Sequence, residues 1–426
     1  PPLHCSSAAS DVYKRQLFIC VKPGTDGALA CAVMHALFRD GHADWPYLKQ
    51  YTDCPEELAQ HLNPRSPAWA EAISGVPAAQ IEEFAALLAA NKKHFIRIGY
   101  GMSRQRNGAH NVHAALSVAA VTGAWQHEGG GAFHNNGGIY RWDRTLIEGW
   151  DLVDPKVRYL DQSRIGDILM GNPDDLRGGP PVTALFIQNT NPMMIAPELA
   201  KVHAGFARED LFTCVHEQFM TDTAKMADIV LPATMFVEHD DVYQGGGHQH
   251  IILGPKIIEP PPGPRSNSEV VNALAKRLGL AQPAFSMSAR EIVDATLKAS
   301  NRGSWDELMQ SKWIDCQIPF AQAHYLDGFA WPDKKFRFKP DWAAVLPNND
   351  GTGKGRFGPA DRMPELPDHW DVIENATPDK PFRLVTAPAR SFLNSSFTET
   401  PTSVARERRP EMMIRANDAV PHGIVD

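Results

Sequence analysis

The chain has 426 residues, of which 43% are hydrophobic and 22% are charged, and its formal net charge is -8. This length and composition predict two or three globular domains with large cores. The negative charge and the absence of a long Lys/Arg run argue against a nucleic-acid-binding protein. No apolar stretch reaches the roughly 18 residues that a membrane helix needs.

The cysteines are scattered and form no Cys-x-x-Cys pair. They are Cys5, Cys20, Cys31, Cys54, Cys214 and Cys316. Their spacing is not that of a zinc ribbon or of an iron–sulfur site. Single cysteines within apolar runs are typical of buried, reduced thiols, which favours a reducing compartment. We therefore expect a cytoplasmic protein.

The two ends of the sequence differ in character from its middle. Residues 1–16 lack an initiating Met, any periodicity and the apolar core of a signal peptide, so we interpret them as a non-native, unstructured leader. A coherent pattern begins at Leu17, and the final residues have barely begun a new domain. We therefore expect an internal fragment of a longer protein.

The first predicted strand, residues 17–21, leads into a turn with the sequence Lys-Pro-Gly-Thr-Asp-Gly and then into an apolar helix over residues 28–39. A Gly-containing turn between a strand and a helix is typical of a nucleotide-binding loop. This turn lacks the Gly-x-Gly-x-x-Gly spacing of the dinucleotide fold. Asp26, within the turn, is a candidate helix cap.

Residues 45–62 and 66–88 are predicted to be helices outside the sheet, the second broken around Gly75. A strand is predicted over residues 94–98 and a helix over residues 111–122. The loop between them is rich in Gly and basic residues, which suits an anion. Within it, Arg104 can be an ordinary exposed loop Arg.

Residues 182–243 contain two consecutive α/β units. Strands are predicted over residues 182–187, 211–215 and 228–231, with helices over residues 197–207 and 224–227 between them. Ligands bind at the carboxyl edge of a parallel sheet because free N–H groups and helix dipoles point there. The polar residues at this edge are Asn189, Asn191, His216, Glu217, Thr221 and Thr223. Each is also an ordinary cap or turn residue, so both interpretations remain open.

A stretch rich in His and Asp follows, with His239, His248 and His250 near two aspartates. We do not interpret it as a metal site, because no recognised set of three or four ligands surrounds these histidines. A helix capped by Ser266 is predicted over residues 268–278 and two more between 288 and 310. Residues 330–381 are predicted to form a linker, and residues 382–386 are predicted to form the first strand of a new domain.

The order of these motifs resembles the molybdopterin oxidoreductases of the dimethyl sulfoxide reductase superfamily. The similarity rests on Asn-Thr-Asn-Pro, which begins at Asn189, and on HEQFMTDTAKMADIVLPATMFVEHDD, which begins at His216. The second run matches the family's T-x-T-A-x-x-A-D-hydrophobic-L-P-A pattern followed by E-x-x-D. PGTDGALA, which begins at Pro23, and the Gly-x-x-Arg-x-x-Asn-Gly loop, which begins at Gly101, resemble the family's third domain.

The resemblance covers nearly all of the sequence from Leu17 onward. It implies an α/β fold with two dinucleotide-binding domains, residues 17–140 and 141–375, whose mainly parallel sheets are flanked by helices, and the start of a C-terminal β-barrel, residues 376–426. The implied cofactor is a molybdenum or tungsten ion held by two molybdopterin guanine dinucleotides. The implied cofactor-binding residues are Asp26, Gly101, Arg104, Asn107, Gly108, Asn189, Asn191, His216, Glu217, Thr221, Thr223, Glu238, Asp241, Asn267, Arg390 and Ser391.

The resemblance also implies two-electron redox or oxygen-atom transfer on a small substrate, with an iron–sulfur or other electron-transfer partner. The family's [4Fe-4S] cysteines and its metal-ligating residue are expected upstream of Leu17, so no catalytic residue is assigned and the fragment alone is expected to be inactive. The alternative is a non-catalytic electron-transfer subunit of a respiratory complex, which is expected to have lost the polar edge residues. A nicotinamide-dependent dehydrogenase is disfavoured because no Gly-x-Gly-x-x-Gly follows a strand.

Overall fold

A computed structural model describes residues 17–154, 156–345, 363–371, 375–387 and 389–424. The predicted leader, residues 1–16, lies outside them. The chain forms two compact units. The small unit contains residues 160–233 and the described residues from 386 onward, and the large unit contains residues 17–159 and 234–385. The family-domain boundaries at 140/141 and 375/376 stay a prediction.

The first part of the large unit is mainly helical. Its α-helices and strands are, in chain order, α1 (Asp26–Arg39), α2 (Trp45–Tyr51), α3 (Pro55–Leu62), α4 (Pro67–Ser74), α5 (Ala78–Ala90), β1 (Phe95–Arg97), α6 (Tyr100–Ser103), α7 (Gly108–Val121), β2 (Gly131–Phe133) and α8 (Thr145–Glu148). β1 and β2 pair in parallel, with Phe95 opposite Gly131. The break between α4 and α5 falls at Gly75, as predicted, where φ is +73°.

Helix α1 is the centre of the large unit. It is apolar on almost every side, a pattern typical of a helix buried in a core. Cys31, Val33, Met34 and Leu37 have no exposed surface. α1 packs against α7, α4, α5 and α3, which together bury it. Its N-terminal turn is therefore attached to a rigid element.

The small unit is an α/β unit around a parallel sheet. Its elements before residue 233 are α9 (Ile165–Leu169), β3 (Ala184–Gln188), α10 (Pro192–Ile195), α11 (Leu199–Phe206), β4 (Phe212–Glu217), α12 (Asp222–Lys225) and β5 (Ile229–Pro232). The strand order is β3-β4-β5, and all pairs are parallel. The helices cover the sheet through a core that includes Ile187, Val202 and Val215. The predicted α/β class with parallel sheets is confirmed.

The second part of the large unit adds a sheet that the sequence did not predict. It is antiparallel, in the order β6 (Asp241–Tyr243), β7 (His250–Gly254) and β8 (Trp313–Asp315). The helices are α13 (Asn267–Arg277), α14 (Ala289–Ala299), α15 (Trp305–Ser311), α16 (Phe320–Ala323) and α17 (Trp342–Val345). α13, α14 and α15 each begin with a Ser–Glu capping box, which confirms the predicted Ser266 cap.

Several predicted elements differ from the structure. Residues 17–22 are irregular rather than a strand. The helix predicted over residues 45–62 is two helices, because Pro55 starts a second one. The strand predicted over residues 382–386 is also irregular, and Leu384 and Val385 are exposed, since an isolated extended segment gains stability only beside a partner strand. Beyond it the chain forms α18 (Pro401–Glu407) and α19 (Ala416–Ala419), and the start of a β-barrel stays a prediction.

Candidate functional site

The carboxyl edge of the small unit's sheet brings together residues from two strand ends. The register places Gln188 opposite His216 and Glu217 opposite Pro232. The Gln188 Nε2 and His216 Nδ1 atoms are 2.9 Å apart. Asn189 follows the end of β3, is exposed and has φ of +56°, a conformation that Asn tolerates better than most residues. The predicted juxtaposition of these strand-end residues is therefore present in the fold.

Glu217 and His216 face different environments although they are neighbours in β4. His216 is fully buried, whereas Glu217 is half-buried. One carboxylate oxygen of Glu217 accepts a 2.7 Å hydrogen bond from the Gln218 amide. A carboxylate has about four acceptor sites, so Glu217 retains capacity for a ligand hydroxyl or N–H. His216 lies beneath this edge and supports it.

Asn191 and Thr223 bind each other. Both are buried, and Asn191 Oδ1 accepts hydrogen bonds from the Thr223 amide at 3.2 Å and the Thr223 hydroxyl at 2.7 Å. The Thr223 Oγ1 in turn accepts from the Met193 amide at 3.1 Å. Thr221 caps α12 by accepting from the Ala224 amide. These three residues thus hold α10 and α12 at the sheet edge, which is the cap-and-turn role that the sequence left open.

In the large unit, two residues of the predicted binding loop are structural. Asn107 has no exposed surface, and its Nδ2 donates to the carbonyl oxygens of Gly24 at 2.7 Å and Trp370 at 2.9 Å. A Cβ on Gly108 would come within 2.8 Å of Ser103 Cα. Asn107 and Gly108 therefore hold the loop together and do not face a ligand, because their surroundings are already filled by protein atoms.

Gly101 and Arg104 are the exposed members of the same loop. A Cβ on Gly101 would meet no atom within 4 Å, so its backbone is open to close approach. Arg104 is exposed at the C-terminus of α6, where its amide donates to the Gly101 carbonyl oxygen, and its side chain has no hydrogen-bond or ion-pair partner among the described residues. His134 is half-buried and packs against the Tyr100 ring. This loop therefore presents bare backbone and an unpaired cation.

Asp26 is the first residue of α1, and Thr25 occupies the N-cap position, so Asp26 is not the cap residue. Its side chain is half-buried. Burial raises the pKa of Asp26, and a hydrogen bond from its own backbone amide partly offsets that rise. No side chain of another described residue binds this carboxylate. Asp26 is thus a partly desolvated acceptor at the end of a rigid helix.

Three further predicted residues lie in the large unit. Glu238 follows the turn at residues 236–237, Asp241 is the first residue of β6, and Asn267 is the first residue of α13. Glu238 Oε2 accepts from the Met235 amide at 2.8 Å, and Asp241 Oδ1 accepts from the Val242 amide at 2.7 Å. Asn267 is exposed at the start of α13. Glu238 and Asp241 retain partly exposed oxygens, so a binding role stays a prediction for all three.

Arg390 and Ser391 lie in the part of the small unit beyond residue 386. Arg390 is exposed, and the Ser391 amide donates to Glu407 Oε1 at 2.6 Å. A cofactor-binding role for both stays a prediction.

The three histidines with a possible metal interpretation have other partners. His239 Nδ1 is 2.8 Å from the Thr234 hydroxyl, and His248 Nδ1 accepts from the His250 amide at 3.0 Å. The His250 ring packs edge-on against Trp313. Within the described ranges, no group of three or more His, Cys, Asp or Glu side chains is arranged to hold a metal ion.

Sequence patterns gave no signal for two further features. One is a set of polar contacts between residues far apart in the chain, in which buried Asn111 donates to the Gly24 carbonyl oxygen and half-buried Arg65 donates to Asp368. The other is a cavity of about 740 Å³ in the large unit, lined by residues 141–145, 148, 299–302 and 316–318. None of the predicted cofactor-binding residues lines this cavity. Across the part of the chain that the structure describes, no helix has both the length and the apolarity to span a membrane.

Comparison with known proteins identifies the family. The family model described as molybdopterin oxidoreductase matches residues 13–277, which is more than half of the chain. The chain belongs to the molybdopterin oxidoreductase family. This membership confirms the resemblance to the dimethyl sulfoxide reductase superfamily and implies a molybdopterin cofactor with molybdenum or tungsten.

Three similar proteins illustrate this membership. The chain is 34% identical over 429 residues to the probable oxidoreductase YoaE of Bacillus subtilis, covering 98% of this chain and 59% of that protein. It is 26% identical to the trimethylamine-N-oxide reductase of Haemophilus influenzae, covering 96% of this chain and 55% of that protein. Acetylene hydratase from Pelobacter acetylenicus shares the fold, with a TM-score of 0.68 at 17% identity, covering 96% of this chain and 60% of that one. The chain thus spans less than two thirds of each.

Proposed function

We propose that this chain is the nucleotide-binding part of a molybdenum or tungsten oxidoreductase whose cofactor is a pair of molybdopterin guanine dinucleotides. The reaction class is two-electron redox or oxygen-atom transfer on a small substrate. The observation that carries the proposal is a set of polar groups at the ends of rigid elements that are exposed or half-buried and retain hydrogen-bonding capacity. Glu217 and Asn189 in the small unit and Asp26 and Arg104 in the large unit belong to this set.

The chemistry of these groups fits a guanine nucleotide with a pyrophosphate. Glu217 and Asp26 are acceptors, which suit ribose hydroxyls or the N–H groups of guanine. Arg104 is an unpaired guanidinium, which suits phosphate oxygens. The open backbone at Gly101 allows an anion to approach main-chain N–H groups. Such a ligand needs acceptors for its base and sugar and a cation for its phosphates; the large unit offers both in Asp26 and Arg104, and the small unit offers the acceptor Glu217.

When bound, the cofactor supplies the metal at which the two-electron chemistry takes place, and its pterins tune the redox potential. The residues of this chain bind and orient it. Buried Asn191 and Thr223 keep the helix starts of the small unit in place, while half-buried Glu217 is free to bind the ligand. Because the two roles fall on different residues, the binding edge is rigid before a ligand arrives, which lowers the entropy cost of binding.

Two-electron chemistry needs an electron donor or acceptor, so the proposal includes a protein partner that carries electrons, such as an iron–sulfur protein. A [4Fe-4S] cluster upstream of Leu17 and a cytoplasmic location belong to the same proposal. The alternative, a non-catalytic electron-transfer subunit, predicts loss of the ligand-facing residues. Glu217 retains free acceptor capacity, and the exposed Arg104 side chain has no partner among the described residues. Both observations support the enzyme instead.

The test is to analyse metal and nucleotide in the purified protein. The gene product that contains this chain is expressed in a host that makes the dinucleotide cofactor. Molybdenum and tungsten are measured by elemental analysis, and guanosine monophosphate is measured after acid release. We expect one metal ion and about two guanosine monophosphates per polypeptide, the ratio of a metal held by two dinucleotides. A folded protein that contains neither would overturn the proposal.

A further inference from the structure

A buried polar cluster attaches the turn before α1 to helix α7. Asn107 and Asn111 lie four residues apart, one turn along α7, so their side chains project from the same face. Neither has any exposed surface. Both reach the turn that runs from Gly24 to Gly27, which also carries Asp26. Burying two amide side chains is unfavourable unless each makes hydrogen bonds within the protein, so both need partners there.

The two asparagines hold both ends of the turn. Asn107 Nδ2 donates to the Gly24 carbonyl at 2.7 Å, and Asn111 Oδ1 accepts from the Gly27 amide at 3.1 Å. Asn111 Nδ2 donates to Asn107 Oδ1 at 3.0 Å, which links the two side chains. Each asparagine side chain donates through Nδ2 and accepts through Oδ1, the two atoms of one short, planar amide. Asn is therefore required at both positions by the hydrogen-bond pattern.

The turn is confined on its other side by a distant segment of the chain. A Cβ on Gly27 would lie 2.7 Å from the Asp368 carbonyl oxygen and 2.8 Å from Asn111 Oδ1. Asp368 is anchored by Arg65, whose Nη2 is 2.6 Å from Asp368 Oδ2. The Asp368 amide donates to His110 Nε2 at 3.1 Å. The turn thus has no room to move toward α7 or toward residues 368–370.

Asp26 contrasts with these neighbours. The side-chain amides of Asn107 and Asn111 are hydrogen-bonded to other protein groups, whereas the Asp26 carboxylate has no side-chain partner among the described residues. No regular strand precedes the turn, so strand hydrogen bonds do not fix its position. The cluster therefore acts together with helix α1, of which Asp26 is the first residue, to determine where Asp26 points.

We propose that Asn107 and Asn111 are positioning residues that hold the Gly24–Gly27 turn so that Asp26 meets the guanine nucleotide end of the cofactor. This inference rests on the proposed function, and it replaces the predicted direct contact of Asn107 with an indirect role. The ligand is recognised by Asp26, and the asparagines act through the backbone to which Asp26 belongs.

The experiment is a double-mutant cycle on nucleotide binding, with guanosine diphosphate as the probe. The gene product that contains this chain is prepared in a host that lacks molybdopterin synthesis, so that its sites are empty, and titrated calorimetrically. We expect Asn111→Ala and Asp26→Ala each to weaken binding about tenfold, the equivalent of one hydrogen bond to a charged group. The double variant is expected to bind only as weakly as the single variants, because both changes remove the same contact.

The control separates positioning from general loss of stability. Val118→Ala truncates a buried core residue further along α7 without touching the turn, so it lowers the unfolding midpoint but leaves the affinity for guanosine diphosphate unchanged. Hydrogen exchange at the Gly27 amide provides a readout that needs no ligand, and it is expected to accelerate at least about tenfold in Asn111→Ala but not in Val118→Ala. Asn111→Ser takes the place of Asn111→Ala if the latter does not fold.

Wild-type affinity in the Asn111 variants, additive effects in the cycle, or equal weakening by Val118→Ala would each overturn the positioning role while leaving the proposed function intact. A wild-type protein that neither binds guanosine diphosphate nor contains guanosine monophosphate would overturn the proposed function and this inference with it.

Discussion

The two candidate binding edges are built in different ways. In the small unit, the candidate ligand-binding residues Asn189 and Glu217 lie at the ends of strands that are paired in register. In the large unit, Asp26 stands on a turn that no regular strand precedes, and the side chains of Asn107 and Asn111 hold that turn. A strand ladder fixes the strand ends through backbone groups, and the side chains of Asn191, Thr221 and Thr223 then hold only the helix starts, which leaves Asn189 and Glu217 available for a ligand. Where no strand ladder is present, polar side chains position the loop, and those side chains cannot then bind a ligand.

The comparison implies that neighbouring polar residues respond very differently to substitution. A buried residue that holds an edge should change the stability of the protein, and an exposed residue at the same edge should change ligand binding. The following predictions test this division.

The largest expected effect on stability is at Gly108. A methyl group there would lie 2.8 Å from Ser103 Cα and 2.9 Å from the Met102 carbonyl oxygen, and both are backbone atoms that cannot move aside. We expect Gly108→Ala to lower the free energy of unfolding by about 1–3 kcal/mol. Gly101→Ala, in the same loop with open space around it, is the control and should be neutral or slightly stabilising. Urea unfolding measures both, and equal losses would contradict the assignment.

Asn191 provides the corresponding test in the small unit. Asn191→Ala leaves the Thr223 amide and hydroxyl without their acceptor in a buried site, which should lower the free energy of unfolding by about 1–3 kcal/mol. Asn189→Gly, two residues earlier, should change stability by only a few tenths of a kcal/mol, since Gly adopts its positive φ readily. If Asn191→Ala is as mild as Asn189→Gly, the buried pair does not hold this edge.

The pH dependence of stability tests the buried cluster in the large unit. Burial, reinforced by the nearby His113 ring, lowers the pKa of His110 to about 3. In the unfolded chain a His protonates near pH 6.5, so the folded state loses stability as the pH falls from about 6.5 towards 3. The expected contribution is about 1.4 kcal/mol per pH unit in that window. His110→Gln should flatten the slope between pH 6.5 and 5, and an unchanged slope would show that His110 is not held neutral.

The smallest effect on stability, with the opposite sign, is expected at Asp26. Burial raises the pKa of Asp26, so its ionised form destabilises the fold above that pKa, and the penalty vanishes at acid pH where the group is neutral in both states. Asp26→Asn should therefore raise the unfolding midpoint at neutral pH, on the order of 1 °C, and lose that gain at low pH. The same variant should bind guanosine diphosphate more weakly. A lower midpoint at neutral pH would contradict the burial effect.

The sequence predicted which polar residues lie at the sheet edge better than it predicted their roles. Strand lengths and turn residues located the ends of β3 and β4, because both follow from local periodicity. The two hydrogen bonds that Thr223 donates to Asn191 were not predictable, since Asn and Thr serve equally as caps, turns or ligands. His216 and Glu217 are successive strand residues, so alternation along the strand indicates that only one of them can face a given side.

The remaining differences concern long-range structure. Asp368 accepts a hydrogen bond from Arg65, which is 303 residues earlier in the chain, and its carbonyl oxygen lies beside Gly27. No local sequence pattern connects these residues. The antiparallel sheet of β6, β7 and β8 was missed because its outer strands are only three residues long, too short to show alternation. The irregular start of the chain was predicted as a strand because residues 17–21 are apolar, although tertiary pairing decides whether such a run becomes a strand.

The central claim is that exposed edge residues bind the nucleotide while buried neighbours hold the edge. Its most direct test is the guanosine monophosphate content of Glu217→Ala, measured after expression in a host that makes the cofactor, together with the unfolding midpoint of the cofactor-free protein. We expect the content to fall about tenfold, the equivalent of one hydrogen bond to a charged group, with a midpoint within about 1 °C of the wild type. A variant that retains its full nucleotide content would contradict the claim.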